Sequence, residues 1–110
     1  MDNMEKLSDA LVGVLNAPTR PPALRPLARL KYPPRGLFLI PNPDGTITAT
    51  MAKWGFQYKC RSPRPKSPPT IDPAAMMEAF NSALPDGLSV IAVEDRGRQV
   101  AIQLKEENLC

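Results

Sequence analysis

Apolar and polar residues alternate along two stretches of this chain and recur at three- and four-residue spacing along two others. The clearest alternation lies within Gly36 to Tyr58, GLFLIPNPDGTITATMAKWGFQY. Leu37-Phe38-Leu39-Ile40 and Thr46-Ile47-Thr48-Ala49-Thr50 have strand-forming compositions. Between them, Asn42-Pro43-Asp44-Gly45 suits a tight hairpin loop. Proline presets the first turn position, and Gly45 takes a left-handed bulge position. Pairing Asn42 with Thr46 makes partner numbers sum to 88. Leu37, Leu39, Ile47, Ala49 and Met51 then share an apolar face, expected to be the core face. Phe38, Ile40, Thr48 and Thr50 share the other face, and parity carries Trp54 and Phe56 onto it. That second face is a partner surface or is covered by the N-terminal helix.

Leu88 to Lys105 repeats this logic around Asp95-Arg96-Gly97. Pairing Glu94 with Arg98 makes partner numbers sum to 192. Leu88, Val90, Ala92, Val100, Ile102 and Leu104 then fall on one face.

Two helices complete the pattern. In Asp2 to Ala17, the residues Met4, Leu7, Leu11, Val14 and Leu15 form one stripe, and Pro18 ends the segment. The stripe packs on the chain's own sheet or serves as a homodimer or partner helix. In Asp72 to Leu84, Asp72 is the expected N-cap and Pro73 the first helical residue. Ile71 is placed to staple against Met76. Met76, Met77, Phe80, Ala83 and Leu84 form its apolar face. The order α-ββ-α-ββ predicts a small α+β domain, with a four-stranded antiparallel sheet packed by one or two helices. The expected divisions are a helix over 1–17, a Pro/Arg-rich linker over 18–35, a core over 36–105 and a polar tail over 106–110. Within the core, 59–71 is a basic, proline-rich loop.

Composition sharpens the picture of the connections. The chain has 110 residues and 14 prolines. Six prolines lie between Pro18 and Pro34 and five between Pro63 and Pro73. The first of these segments is expected to be extended or polyproline II, with a helical turn at most from Pro26. Its Pro18-Thr-Arg-Pro21 match to a PxxP ligand is read as chance. Ser62-Pro63 and Ser67-Pro68 are short matches to proline-directed phosphorylation sites and carry little weight.

Charge is segregated. The net charge is +3. From Arg20 to Lys66 there are ten basic residues and one acid, Asp44. Acids outnumber basic residues on both sides of this stretch. Such asymmetry points to an anionic partner.

The residue inventory narrows the chemistry. With no histidine, the commonest general base and every Ser-His or Cys-His nucleophile are missing. Two separated cysteines, Cys60 and Cys110, cannot build a four-cysteine zinc site. The six glycines make neither a dinucleotide fingerprint nor a phosphate loop. Glu94-Asp95 reads as turn and solubility residues. The chain is therefore expected to be non-enzymatic, with no cofactor and no metal. No apolar run spans a membrane and no leader pattern is visible, so a reducing cytoplasmic or nuclear setting is expected.

The leading functional expectation is nucleic-acid binding, to RNA or DNA, mainly through phosphates. Its candidate residues are Arg25, Arg29, Lys31, Arg35, Lys53, Trp54, Lys59, Arg61, Arg64 and Lys66. Lys and Arg neutralise phosphates, and an interleaved aromatic ring can stack on a base. The alternative is a protein-binding inhibitor or adaptor, of viral or phage type, that covers an acidic nucleic-acid-binding site on a partner.

Overall fold

The structure is a computed structural model that describes residues 3–29, 37–53 and 69–106. Its elements run α1 (Asn3–Leu15), a 3-10 turn (Pro22–Leu24), β1 (Phe38–Pro41), β2 (Ile47–Ala52), α2 (Pro73–Ala83), β3 (Leu88–Asp95) and β4 (Gln99–Glu106). The α+β architecture and its α-ββ-α-ββ order are those expected from the pattern.

The strands form one antiparallel sheet in the order β1-β2-β4-β3. The two hairpins therefore join through their second strands. β2 and β3 run parallel with β4 between them, so β2-α2-β3 is a split β-α-β unit.

The first hairpin has the predicted register, with Phe38 opposite Thr50, Leu39 opposite Ala49 and Ile40 opposite Thr48. Gly45 has φ +89 and donates its N–H to the Asn42 carbonyl at 3.1 Å. Asp44 accepts from the Thr46 N–H at 2.9 Å, an Asx arrangement that locks the loop.

The second hairpin departs from its predicted register. Asp95 pairs with Val100 and Val93 with Ile102, and a bulge at Ile91 separates these from the Val90–Leu104 pair. The expected Glu94–Arg98 pairing is not formed. Gly97, with φ +84, stands at the first position of a two-residue loop, and Arg96 bonds Gln99 at 2.9 Å. A positive φ there is the signature of a primed hairpin turn. The error was one of parity. Leu88 to Val93 is apolar at both odd and even positions after Ser89, so alternation does not choose a register there. Ala92 accordingly lies exposed on the outer face, and Val93 takes its place inside.

One hydrophobic cluster fills the inner face. It joins Leu7, Leu11, Val14 and Leu15 of α1 with Met76, Ala79, Phe80 and Leu84 of α2. Against them lie Ala49, Met51, Val90, Val100, Ile102 and Leu104 of the sheet. Of the two uses open to the α1 stripe, the structure shows the intramolecular one. The Met4 side chain and the Asp2 cap lie outside the described residues.

On α2, Asp72 caps the Ala75 N–H at 3.3 Å, as its position before Pro73 implies. The buried stripe includes Ala79 rather than Ala83, which is exposed. The Pro/Arg segment also differs from expectation up to Arg29. Its 3-10 turn falls at Pro22–Leu24, and Leu24, Leu27 and Ala28 are buried. Spaced three apart, Leu24 and Leu27 plug the core between α2 and the end of β2, so this part is core rather than linker.

Asn81 ties α2 to the sheet. Its side-chain amide donates to the Val90 carbonyl at 3.1 Å, and its carbonyl accepts from the Val90 N–H at 2.7 Å. Two consequences are testable. Phe80→Ala should lower unfolding free energy by about 3–5 kcal/mol in urea denaturation, as for a large buried ring. Asn81→Ala should cost about 1 kcal/mol and selectively accelerate hydrogen exchange at the Val90 amide.

Candidate nucleic-acid interface

The end of β2 organises the candidate site. Lys53 follows Ala52 and continues the odd-numbered, inward face of Ile47, Ala49 and Met51. Only 1% of its surface is exposed. A cation taken out of water needs partners. Its Nζ donates to Asp95 Oδ1 at 2.9 Å and to the Pro69 carbonyl at 2.6 Å. Its backbone N–H bonds the Arg98 carbonyl at 3.0 Å, and it forms an isolated antiparallel bridge with Leu27. The neighbouring Ala28 N–H bonds the Ala52 carbonyl at 3.0 Å.

Asp95 reaches Lys53 because of the bulge. Without the extra residue at Ile91, β3 could not place both Val90 and Asp95 on the inner side. The Lys53 ammonium and the Gly97 N–H, which donates at 2.9 Å, hold the Asp95 carboxyl below its ordinary value of 3.8.

A second cation braces the adjoining loop. Arg20 Nη1 donates to the Leu27 carbonyl at 2.7 Å, and Nη2 to the Arg25 carbonyl at 3.4 Å. Burial, and secondarily the nearby Arg29, lower its pKa from the ordinary arginine value. Arg29 donates to the Ala17 carbonyl at 2.8 Å while its side chain stays exposed. Arg25 is also exposed.

These contacts place the sequence-derived candidates in three groups. Arg25 and Arg29 are on the surface. Lys53 is not: its ammonium is committed to Asp95 and Pro69, which corrects its expected role as a phosphate contact. Lys31, Arg35, Trp54, Lys59, Arg61, Arg64 and Lys66 lie outside the described residues. So does the Phe56 that parity carried onto the second face. Inward parity with Met51 was the signal that could have found the buried lysine. Nothing in the pattern pointed to Arg20.

The roots of two connecting stretches, Arg29, Leu37, Lys53 and Pro69, are gathered together. Residues 30–36 run between Arg29 and Leu37, and residues 54–68 between Lys53 and Pro69. Leu27 and Ala28 pair beside Ala52 and Lys53, Phe38 pairs with Thr50, and Pro69 is bonded to Lys53. All four roots thus lie around the C-terminal end of β2. The described residues hold eight basic and nine acidic side chains, so the basic surplus of the chain falls in the residues between those roots.

The outer face of the sheet adjoins this end. Both helices bury their apolar stripes against the inner face, so α1 does not cover the outer one. Phe38 is 59% exposed and Ile40 55%. One row across the sheet reads Phe38, Thr50, Ala101, Glu94, and the next reads Ile40, Thr48, Gln103, Ala92. Thr48, Gln103, Ala101, Ala92 and Glu94 help line a shallow hollow of about 250 Å³. At its rim Arg96 and Glu94 form an exposed ion pair at 3.1 Å.

No family model, no characterised protein and no solved structure matches this chain. No helix among the described residues is long and apolar enough to cross a membrane.

The Lys53–Asp95 pair makes two predictions. Asp95→Asn should cost about 2–3 kcal/mol, less than a fully buried pair because 36% of the Asp95 side chain meets water. Lys53→Met should cost less than Asp95→Asn, since the unpaired carboxylate can hydrate whereas the Lys53 ammonium, left with the Pro69 carbonyl and a neutral amide, stays buried without a counter-charge. A double-mutant cycle in urea measures the coupling. Because the folded carboxyl titrates below its ordinary value of 3.8, the Asp95 contribution is present above that pH. It is lost as pH falls through the lower folded value, and Asp95→Asn should flatten that part of the stability profile.

Proposed function

We propose that this chain is a small, non-enzymatic nucleic-acid-binding protein that grips RNA or DNA mainly through phosphates. The observation that carries the reading is the gathering of four roots around the end of β2. Two stretches far apart in sequence, with Lys31 and Arg35 in one and Lys59, Arg61, Arg64 and Lys66 in the other, start and finish at one end of the sheet. Arg25 and Arg29 lie on the surface of the segment that leads into the first. Basic groups on two stretches tethered at a common end can meet successive phosphates of one strand, and the counterions they displace favour binding. Lys53 has a different part here. It anchors the roots and contacts no phosphate. Trp54 follows that anchor directly and supplies a ring for base stacking.

The test is titration of the full chain with single- and double-stranded RNA and DNA, followed by Trp54 fluorescence at several salt concentrations. Affinity should fall steeply as salt rises. Neutralising Arg61, Arg64 and Lys66 together to Gln should reduce the log–log salt slope by about one per residue removed. Absence of binding at low salt would overturn the proposal and turn attention to a protein partner with an acidic surface.

A further inference from the structure

We propose that the outer face of the sheet, centred on Phe38, seats the bases of a single-stranded nucleic acid. This rests on the nucleic-acid reading above and adds which form is bound and where its bases lie. The first support is the ring itself. Phenylalanine is among the residues most often buried, yet Phe38 is 59% exposed, on a strand whose backbone is fixed by pairing with β2. Ile40 stands next on the same face, 55% exposed. Beside this apolar pair, Thr50 and Ala101 are small and buried, and the face dips toward the hollow over Ala101 and Gln103. A flat base laid against Phe38 meets its exposed ring, and the hollow over Ala101 and Gln103 lies two strands away on the same face.

The second support is charge. Glu94 and Arg96 pair with each other on this face, and Thr48, Thr50 and Gln103 are neutral. The centre of the face therefore offers little to a phosphate and more to an uncharged base. Exposed Arg25 and Arg29 lie on the segment that pairs beside the end of β2, and Phe38, opposite Thr50, is on the part of β1 nearest that end; Lys105 is exposed at the other end of the sheet. A strand that crosses with its bases on the sheet and its backbone toward the basic end matches both features. A duplex does not, because its bases are stacked inside and cannot be laid on a protein ring. Asn42 adds polar character along the far margin, where its amide donates to Thr48 Oγ1 at 2.9 Å and to Thr46 Oγ1 at 3.0 Å.

The experiment measures binding of the full chain to labelled single strands of uridylate and deoxyuridylate and to duplex RNA and DNA of the same length. The single strands should bind more tightly than either duplex at the same salt. Phe38→Ala should weaken single-strand binding about tenfold or more, the scale of one lost base stack, and leave duplex binding and the salt slope unchanged. Phe38→Tyr should retain affinity. Phe38→Leu, which keeps apolar bulk without a ring face, should behave as the alanine variant. Ultraviolet crosslinking of wild-type protein to the uridylate strand, read by peptide mass, should mark the peptide that contains Phe38 and needs no variant. Comparison of uridylate with deoxyuridylate strands, which differ only in the sugar, shows whether ribose or deoxyribose is preferred. Equal affinity for single strands and duplexes, with both non-aromatic variants unaffected, would overturn the base seat and leave the phosphate reading standing. Failure of every nucleic acid to bind at low salt would overturn both. A dimer in sedimentation that Phe38→Ala abolishes, with nucleic-acid affinity intact, would overturn the base seat by giving the face to a second copy of the chain.

Discussion

A buried lysine sets the geometry of this fold at its busiest point. Lys53 sits at the end of a central strand, where an apolar residue would be the ordinary choice. Its ammonium instead meets a carboxylate from β3 and a carbonyl from the chain that leads into α2. Replacing such a pair by apolar residues is often neutral or stabilising, so its presence is weak evidence of a stability role. What it does supply is geometric: a single hydrogen-bonded arrangement fixes Pro69 against the end of β2. The backbone of Lys53 fixes Leu27 and Arg98 at the same place. Loops of arbitrary length could connect β1 to the first helix and β2 to the second. Hairpin pairing sets Leu37 beside the end of β2, and the contacts of Lys53 bring Leu27 and Pro69 to the same place.

The bulge at Ile91 belongs to the same constraint. It breaks the alternation of β3, exposes Ile91 and moves Ala92 outward. In return it turns Asp95 toward the inner side, within reach of Lys53. A regular β3 would give a tidier apolar face and no partner for the lysine. Two local irregularities, a lysine at an inward position and an extra strand residue, make sense only together.

Much of this was legible in the chain and part was not. The first hairpin could be read to the residue, because Asn42-Pro43-Asp44-Gly45 dictates both loop and register and its second strand alternates Ile47, Ala49 and Met51 with threonines. The second helix was equally plain, since Asp72-Pro73 states its own beginning. The second hairpin misled for a physical reason: its first strand is apolar at both parities, so the turn alone decided, and Gly97 serves a shorter loop than the one inferred. The 3-10 turn at Pro22–Leu24 was hidden by prolines that ordinarily signal an extended linker, whereas Leu24 and Leu27 are core residues. At the candidate site, Lys53 was expected on the surface, although parity with Met51 could have shown that it is buried. The pairing with Asp95 was not legible, because it depends on a bulge that no local signal announces. The uncovered state of Phe38 depends on both helices choosing the same side of the sheet, which is a property of the whole fold.

The small contact between Asn81 and Val90 has a wider consequence. β3 is the last strand on its side of the sheet, and a bare edge of this kind invites another chain to add itself. The Asn81 amide meets the outward N–H and carbonyl of Val90 as a neighbouring strand would. Beyond it, the bulge at Ile91 interrupts the regular ladder that an incoming strand would require. On the opposite side, β1 is only four residues long and ends in Pro41, which has no N–H to offer. The sheet is thus terminated on both flanks by its own residues. These features disfavour edge-to-edge addition while the apolar ring of Phe38 remains open to solvent.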